Sequence, residues 1–130
     1  MIVVDTNVVA YLYLPTERTR FAEALLEKDP EWTAPVLWRS ELRNILATYV
    51  RRRRLGFEAA RDIQAEAEHL LAGGEYDVDS TRVLELARDS ECSAYDCEFV
   101  ALAIQLGVRL ATADAKILRA FPRQTIALGG

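Results

Sequence analysis

Four acidic residues stand where a fold does not easily carry a carboxylate. Asp5 follows the β-branched run Ile2-Val3-Val4, which places it at the carboxyl end of a short buried strand. Asp114 comes two residues after Val108-Arg109-Leu110-Ala111-Thr112, a second strand-like run. In VLWRSELRNILATYV, Glu41 has Leu37 and Trp38 one helical turn before it, Ile45 one turn after and Thr48 two turns after. Glu41 therefore lies on or beside the buried stripe of its helix. In SAYDCEFVALAIQLG, Asp96 shares a helical face with Phe99, Val100 and Ala103. An unpaired buried carboxylate is costly and tends to take up a proton.

Each acid has an ordinary explanation when taken singly. Asp5 makes an Asx turn near Asn7, Asp114 caps the following helix, and Ser93-Ala94-Tyr95-Asp96 reads as a capping box. Glu41 needs a tertiary ion pair, because Arg39 and Arg43 are two residues away and face other sides of the helix. Together the four are harder to dismiss, since two end strands and two lie on core-facing helical sides. Crowded carboxylates repel one another and need cations to stay ionised. The lone His69 lies in a polar helical stretch, so the donors are all hard oxygens, which favour Mg²⁺ or Mn²⁺. The matching reaction class is hydrolysis at phosphorus, with Asn7 and Thr112 placed to hydrogen-bond a water or a phosphate oxygen.

The elements that must position these residues can be read along the chain. After the first strand, Asn7 to Tyr13 reads as a short helix ended by Pro15, and Glu17 to Lys28 as a second. Glu31 to Ala34 reads as a strand, Val36 to Arg54 as a long helix, and Phe57 to Ala72 as another, stopped by Gly73-Gly74. Asp79 or Ser80 caps a helix to about Asp89, and Ser93 starts one that closes at Gly107. Val108 to Thr112 is a strand, a short helix begins at Ala115, and Thr125 to Leu128 is the last strand. Strands separated by helices predict right-handed crossovers and a central parallel sheet flanked by helices, an α/β fold. Sites in such folds form beyond the carboxyl ends of the strands, so Asp5 and Asp114 should emerge on one edge.

The 130 residues predict one domain, and 51% hydrophobic with 28% charged residues fits a globular chain. No apolar stretch is long enough to span a membrane, and the start lacks the features of a secretion signal, so a cytoplasmic protein is expected. Cys92 and Cys97 do not have CxxC spacing, and the expectation is two reduced, structural thiols. A net charge of −4 does not suggest a nucleic-acid binder, but cations bound among the acids would invert the local balance.

In order, VVDTNVVAYL, SELRNILA, SAYDCEFVALA and LATADAKIL resemble the motifs of PIN-domain ribonucleases, most closely the VapC-type toxins of toxin–antitoxin pairs. The resemblance runs from Met1 to the last strand. It implies a PIN-like fold and a metal-dependent endoribonuclease that is held inactive by a cognate antitoxin and is usually a homodimer. Carried over by position, Asp5, Asp96 and Asp114 face the metal, and Glu41 binds through water or positions and deprotonates it. Asn7 and Thr112 match the polar positions beside the acids. Some relatives have a further acid after the last Asp. Here Lys116 and Ile117 follow, which implies one ion at rest and another arriving with RNA.

Weaker signals remain. Arg51-Arg52-Arg53-Arg54 is the one dense basic run, either a solvated helix end or a contact for RNA phosphates through Arg51 and Arg53. Arg39 and Arg43 are expected at the cleft mouth, receiving RNA or an antitoxin carboxylate. Trp38, Tyr11 and Tyr49 are assigned to packing, and Tyr95 is ambiguous. Two rivals bear on the reading. A haloacid-dehalogenase-like phosphatase needs a second Asp where this chain has Asn7, and a non-catalytic PIN-like module binds RNA or protein without cutting.

Overall fold

In the computed structural model, which describes residues 1–129, the opening run Ile2–Val4 is strand β1, and Val3 and Val4 are fully buried. Burial on both faces is what a central parallel strand requires, and it explains an apolar run without alternation. Helices α1 (Thr6–Tyr13) and α2 (Thr19–Lys28) lead to β2 (Trp32–Pro35). Then α3 (Leu37–Arg51) and α4 (Phe57–Leu70) lead to β3 (Glu75–Tyr76). The chain returns through α5 (Ser80–Arg88) and α6 (Ala94–Leu106) to β4 (Leu110–Thr112), and α7 (Ala115–Ala120) precedes β5 (Thr125–Ala127).

All strand pairs are parallel, in the order β3-β2-β1-β4-β5, with Ile2 opposite Trp32 and Val3 opposite Leu110. The chain moves outward from β1 to β3, then crosses back to the other side of β1. Right-handed crossovers therefore place α1 to α4 on one face and α5 to α7 on the other. The packing agrees: α1 lies against α2 and α3, α3 against α4, and α6 against β1, β2 and β4. Helix α6 is the central one, with Cys97 and the run from Phe99 to Ala103 buried. No described helix is long and apolar enough to cross a membrane.

Most expected elements form, with shifted ends. Helix α3 stops at Arg51 instead of running into Arg54, because Arg53 takes a left-handed conformation at φ 56°. There the Arg54 N–H turns back to donate to the Tyr49 carbonyl, which satisfies an orphan acceptor at the helix end. The two-residue β3 is a strand the sequence did not announce. It pairs beside β2 after a close approach at Gly74, where any Cβ would run into the Trp32 carbonyl oxygen. Cys92 and Cys97 are both free and buried, as expected of structural thiols.

Candidate active site

The strand order brings the carboxyl ends of β1 and β4 side by side at the point where the chain reverses direction across the sheet, the usual place for a site in an open parallel sheet. The Asp5 N–H donates to the Ala111 carbonyl at 3.1 Å, so the ladder itself sets where this acid leaves β1. Thr112, fully buried, donates its hydroxyl to Asp5 Oδ2 at 2.7 Å and accepts the Asp114 N–H at 3.0 Å. One hydroxyl thus links both strand-end acids. Asp114 also caps α7, its Oδ1 accepting the N–H groups of Lys116 at 2.8 Å and Ile117 at 3.3 Å. The capping explanation holds for Asp114, yet it occupies only one oxygen.

The helical acids are placed differently. Ser93 caps α6 by accepting the Asp96 N–H at 3.0 Å, but the reciprocal bond of a capping box does not form. Among the described residues the Asp96 carboxylate has no protein partner, which leaves both oxygens available. Glu41 Oε1 accepts the hydroxyl of Thr6 at 2.7 Å, and Thr6 is itself buried. Each acid therefore presents at least one oxygen that no side chain occupies.

All four acids line one cleft of about 380 Å³ together with Thr6, Asn7, Leu37, Ser40, Asn44, Ile45 and Tyr95. No lysine or arginine lines it. Burial, chiefly, pushes the Asp5 carboxyl above its ordinary value, and the charges of Asp96 and Asp114 push the same way, against the bonds from Thr112 and Asn7. Glu41 is also raised, first by burial and then by Asp5, Asp96 and Glu98, while Thr6 opposes the shift. The acids thus feel one another across the cleft. They do not form a finished ligand set, since among the described residues no three Asp, Glu, His or Cys side chains stand together as one. An all-oxygen, mutually repelling donor set with free oxygens still fits a hard divalent cation.

Arg39 and Arg43 do not reach this cleft, contrary to expectation. Arg39 is held on the other side of α3 by Glu75, through Nη2 at 2.6 Å, and by Glu68 at 3.0 Å. Arg43 lies 3.8 Å from Glu68. Two residues along a helix is a rotation of roughly 200°, so the neighbours of a cleft residue must face elsewhere. Arg43 and Arg51 border a separate apolar groove between α3 and α4, and Arg53 sits in the turn beyond. Trp38 is core, as assigned, and donates its indole N–H to Glu75.

Thr6 was missed as a supporting residue, although its place directly after the strand-end Asp was the available signal. Ser40 and Asn44 were missed too. Their four-residue spacing, beside that of Leu37, Glu41 and Ile45, puts all five toward one side of α3. Glu98, half-buried and raised by burial, had no such signal.

Fold and cleft together define a three-layer α/β domain with an acidic site at the switch point of its sheet. Residues 2–122 match the PIN domain, and the chain belongs to that family. A curated relative is Ribonuclease VapC3 of Pyrobaculum aerophilum, 30% identical over 124 residues, spanning 93% of this chain and 95% of the relative. Among solved structures, FitAcB from Neisseria gonorrhoeae superposes with a TM-score of 0.76 at 20% identity, covering 97% of this chain and 96% of that one. A toxin–antitoxin complex from Klebsiella pneumoniae gives 0.70 at 15% identity, covering 97% and 96%. FitAB bound to an IR36 DNA fragment gives 0.70 at 21%, covering 98% and 94%.

Proposed function

We propose that this chain is a metal-dependent endoribonuclease and the toxin of a toxin–antitoxin pair. The observation that carries the reading is the composition of the cleft, which holds four carboxylates and no cationic side chain. Such a cleft repels a phosphodiester unless a cation bound there reverses its sign. Asp5, Asp96 and Asp114 would hold Mg²⁺ or Mn²⁺, which when bound supplies charge neutralisation and Lewis acidity toward water and the scissile phosphate. Thr112 fixes Asp5 through Oδ2, and the α7 N-terminus fixes Asp114 through Oδ1, so both acids are oriented before any ligand arrives.

Glu41 acts as the proton acceptor. Thr6 occupies Oε1, leaving Oε2 to orient a water and take its proton. Burial and the neighbouring acids raise its pKa, which makes its carboxylate a better base than that of a solvated glutamate. Asn7, exposed at the start of α1, is placed to hydrogen-bond a phosphate oxygen. The relative's name supports RNA as substrate, and the toxin–antitoxin neighbour supports an antitoxin as partner. A homodimer is part of the same reading.

The test is cleavage of a panel of structured and single-stranded RNAs by the partner-free protein in Mg²⁺, Mn²⁺ or chelator. Cutting with either metal, lost in chelator and in Asp5→Asn, is the expected result. An Asp5→Asn variant that cuts as well as the parent would sink the mechanism. Tight RNA binding without cutting under either metal would favour the non-catalytic module.

A further inference from the structure

The acids account for the floor of the cleft but not for its walls. Tyr95, in the first turn of α6 beside Asp96, lines the cleft and is 63% exposed. Its ring belongs to no part of the core, and its hydroxyl makes no hydrogen bond among the described residues. Leaving an aromatic ring in water forgoes the burial it would gain by packing. On α3, Leu37 and Ile45 flank Glu41 and give the cleft an apolar shoulder, and the row Ser40, Asn44 adds a hydroxyl and an amide. Neither of those side chains has a protein partner among the described residues. The Asn44 amide offers two donors and one acceptor in a plane, which matches the edge of a base.

We propose that Tyr95 and the α3 face hold one unpaired nucleobase of the substrate beside the acids, with Tyr95 stacked on the ring and Asn44 and Ser40 hydrogen-bonded to its edge. The proposal rests on the ribonuclease reading and adds to it the residues that choose the cut. In an A-form duplex the base faces are stacked and the major-groove edges out of reach, whereas an unpaired base offers both face and edge. The cleft volume of about 380 Å³ is near the lower end of small-ligand sites, which fits a single nucleotide rather than a helix. Stacking tolerates any base, so discrimination falls to the amide and the hydroxyl.

The experiment measures binding of fluorescein-labelled single-stranded RNA, and of the same sequence as a duplex, by fluorescence anisotropy in magnesium to the non-cutting Glu41→Gln protein, which keeps the three aspartates that would hold the metal. Adding Tyr95→Ala should weaken single-strand binding about 10- to 100-fold and leave duplex binding unchanged, while Tyr95→Phe should stay within about threefold. In the otherwise unaltered chain, Asn44→Ala should change which nucleotide flanks the cut. Single-strand binding that is absent, that is indifferent to Tyr95→Ala, or that Tyr95→Phe does not rescue overturns the proposal. If the parent still cuts RNA, any of those results leaves the nuclease reading standing. Tyr95-dependent binding in a protein that cuts nothing supports the base platform and removes the nuclease.

Discussion

Thr6 and Thr112 each place a buried hydroxyl on one oxygen of a cleft acid, at 2.7 Å in both cases. Such partners orient a ligand without touching the ion, and their loss typically costs about 10- to 100-fold in metal affinity or activity. Thr112→Val should therefore weaken Mn²⁺ binding by that order in calorimetry, while Thr112→Ser retains it. Loss in Thr112→Ser with binding retained in Thr112→Val would mean that the methyl packing matters and not the hydrogen bond. Stability makes a second, independent readout. The pKa of Asp5 is raised in the fold, so without a cation its ionised form is held less well in the native state than in the unfolded one. The penalty is absent below the unfolded value near 3.8, grows as pH rises above it, and is complete above the folded value. Asp5→Asn should thus stabilise the metal-free protein at pH 7, and the gain should shrink toward pH 4. Thermal melts of parent and variant in chelator check this. A variant that melts lower at pH 7 would show that the acid is satisfied without metal.

Helix α3 carries two functions on two faces, and its ends and partners show what an amino-acid sequence can convey. Periodicity located the helix, the packing role of Trp38 and the side that bears Glu41, while the structure adds Leu42 to its buried residues. Periodicity cannot say what stands opposite the other sides. Arg39 was expected at the cleft because it is near Glu41 in sequence, whereas Glu75, its partner in space, comes from a two-residue strand with no pattern of its own. The strand-end acids were legible for the converse reason: in a parallel sheet, position along a strand is position in space. Glu75 joins Trp38 and Arg39, and Arg39 holds its carboxyl below the ordinary value, so this contribution to stability is present above about pH 4.5 and fades as the carboxyl is protonated. Glu75→Ala leaves the buried Trp38 indole N–H without an acceptor and should cost about 1–3 kcal/mol in urea unfolding. A change within about 0.5 kcal/mol would place that bond among the dispensable surface contacts. At the other end of α3, four arginines look like a continuing helix, and nothing in their type marks Arg53 as left-handed. Arg53→Gly relieves that strain at some cost in chain entropy and should raise stability by about 0.5–1 kcal/mol. A melt that falls instead would mean that the Arg53 side chain makes a stabilising contact of its own.

The charge of the whole molecule has to be reconciled with the polyanionic substrate proposed for it. Net charge is −4 and the cleft is acidic, so the metal-free protein should bind RNA poorly and divalent cations should switch binding on. Beyond the cleft, the one dense group of cations is the run from Arg51 to Arg54, at the end of the same helix that forms one wall of the site. From Glu41 to Arg51 the rise along α3 is roughly 15 Å, a span of a few nucleotides. On the proposed reading, a strand leaving the cleft along α3 would run toward these arginines, while Arg39 is already occupied by Glu68 and Glu75. Each phosphate neutralised on a single strand contributes about −0.7 to the slope of log affinity against log salt. The paired change Arg51→Ala, Arg53→Ala should then flatten that slope by about 1.4 and leave the position of the cut unaltered, because the base beside the acids is chosen elsewhere. An unchanged slope would return the run to a solvated helix end whose cations only oppose the dipole of α3. The reverse result, a shifted cut at an unchanged slope, would place the arginines in base recognition and turn the substrate's path across the molecule.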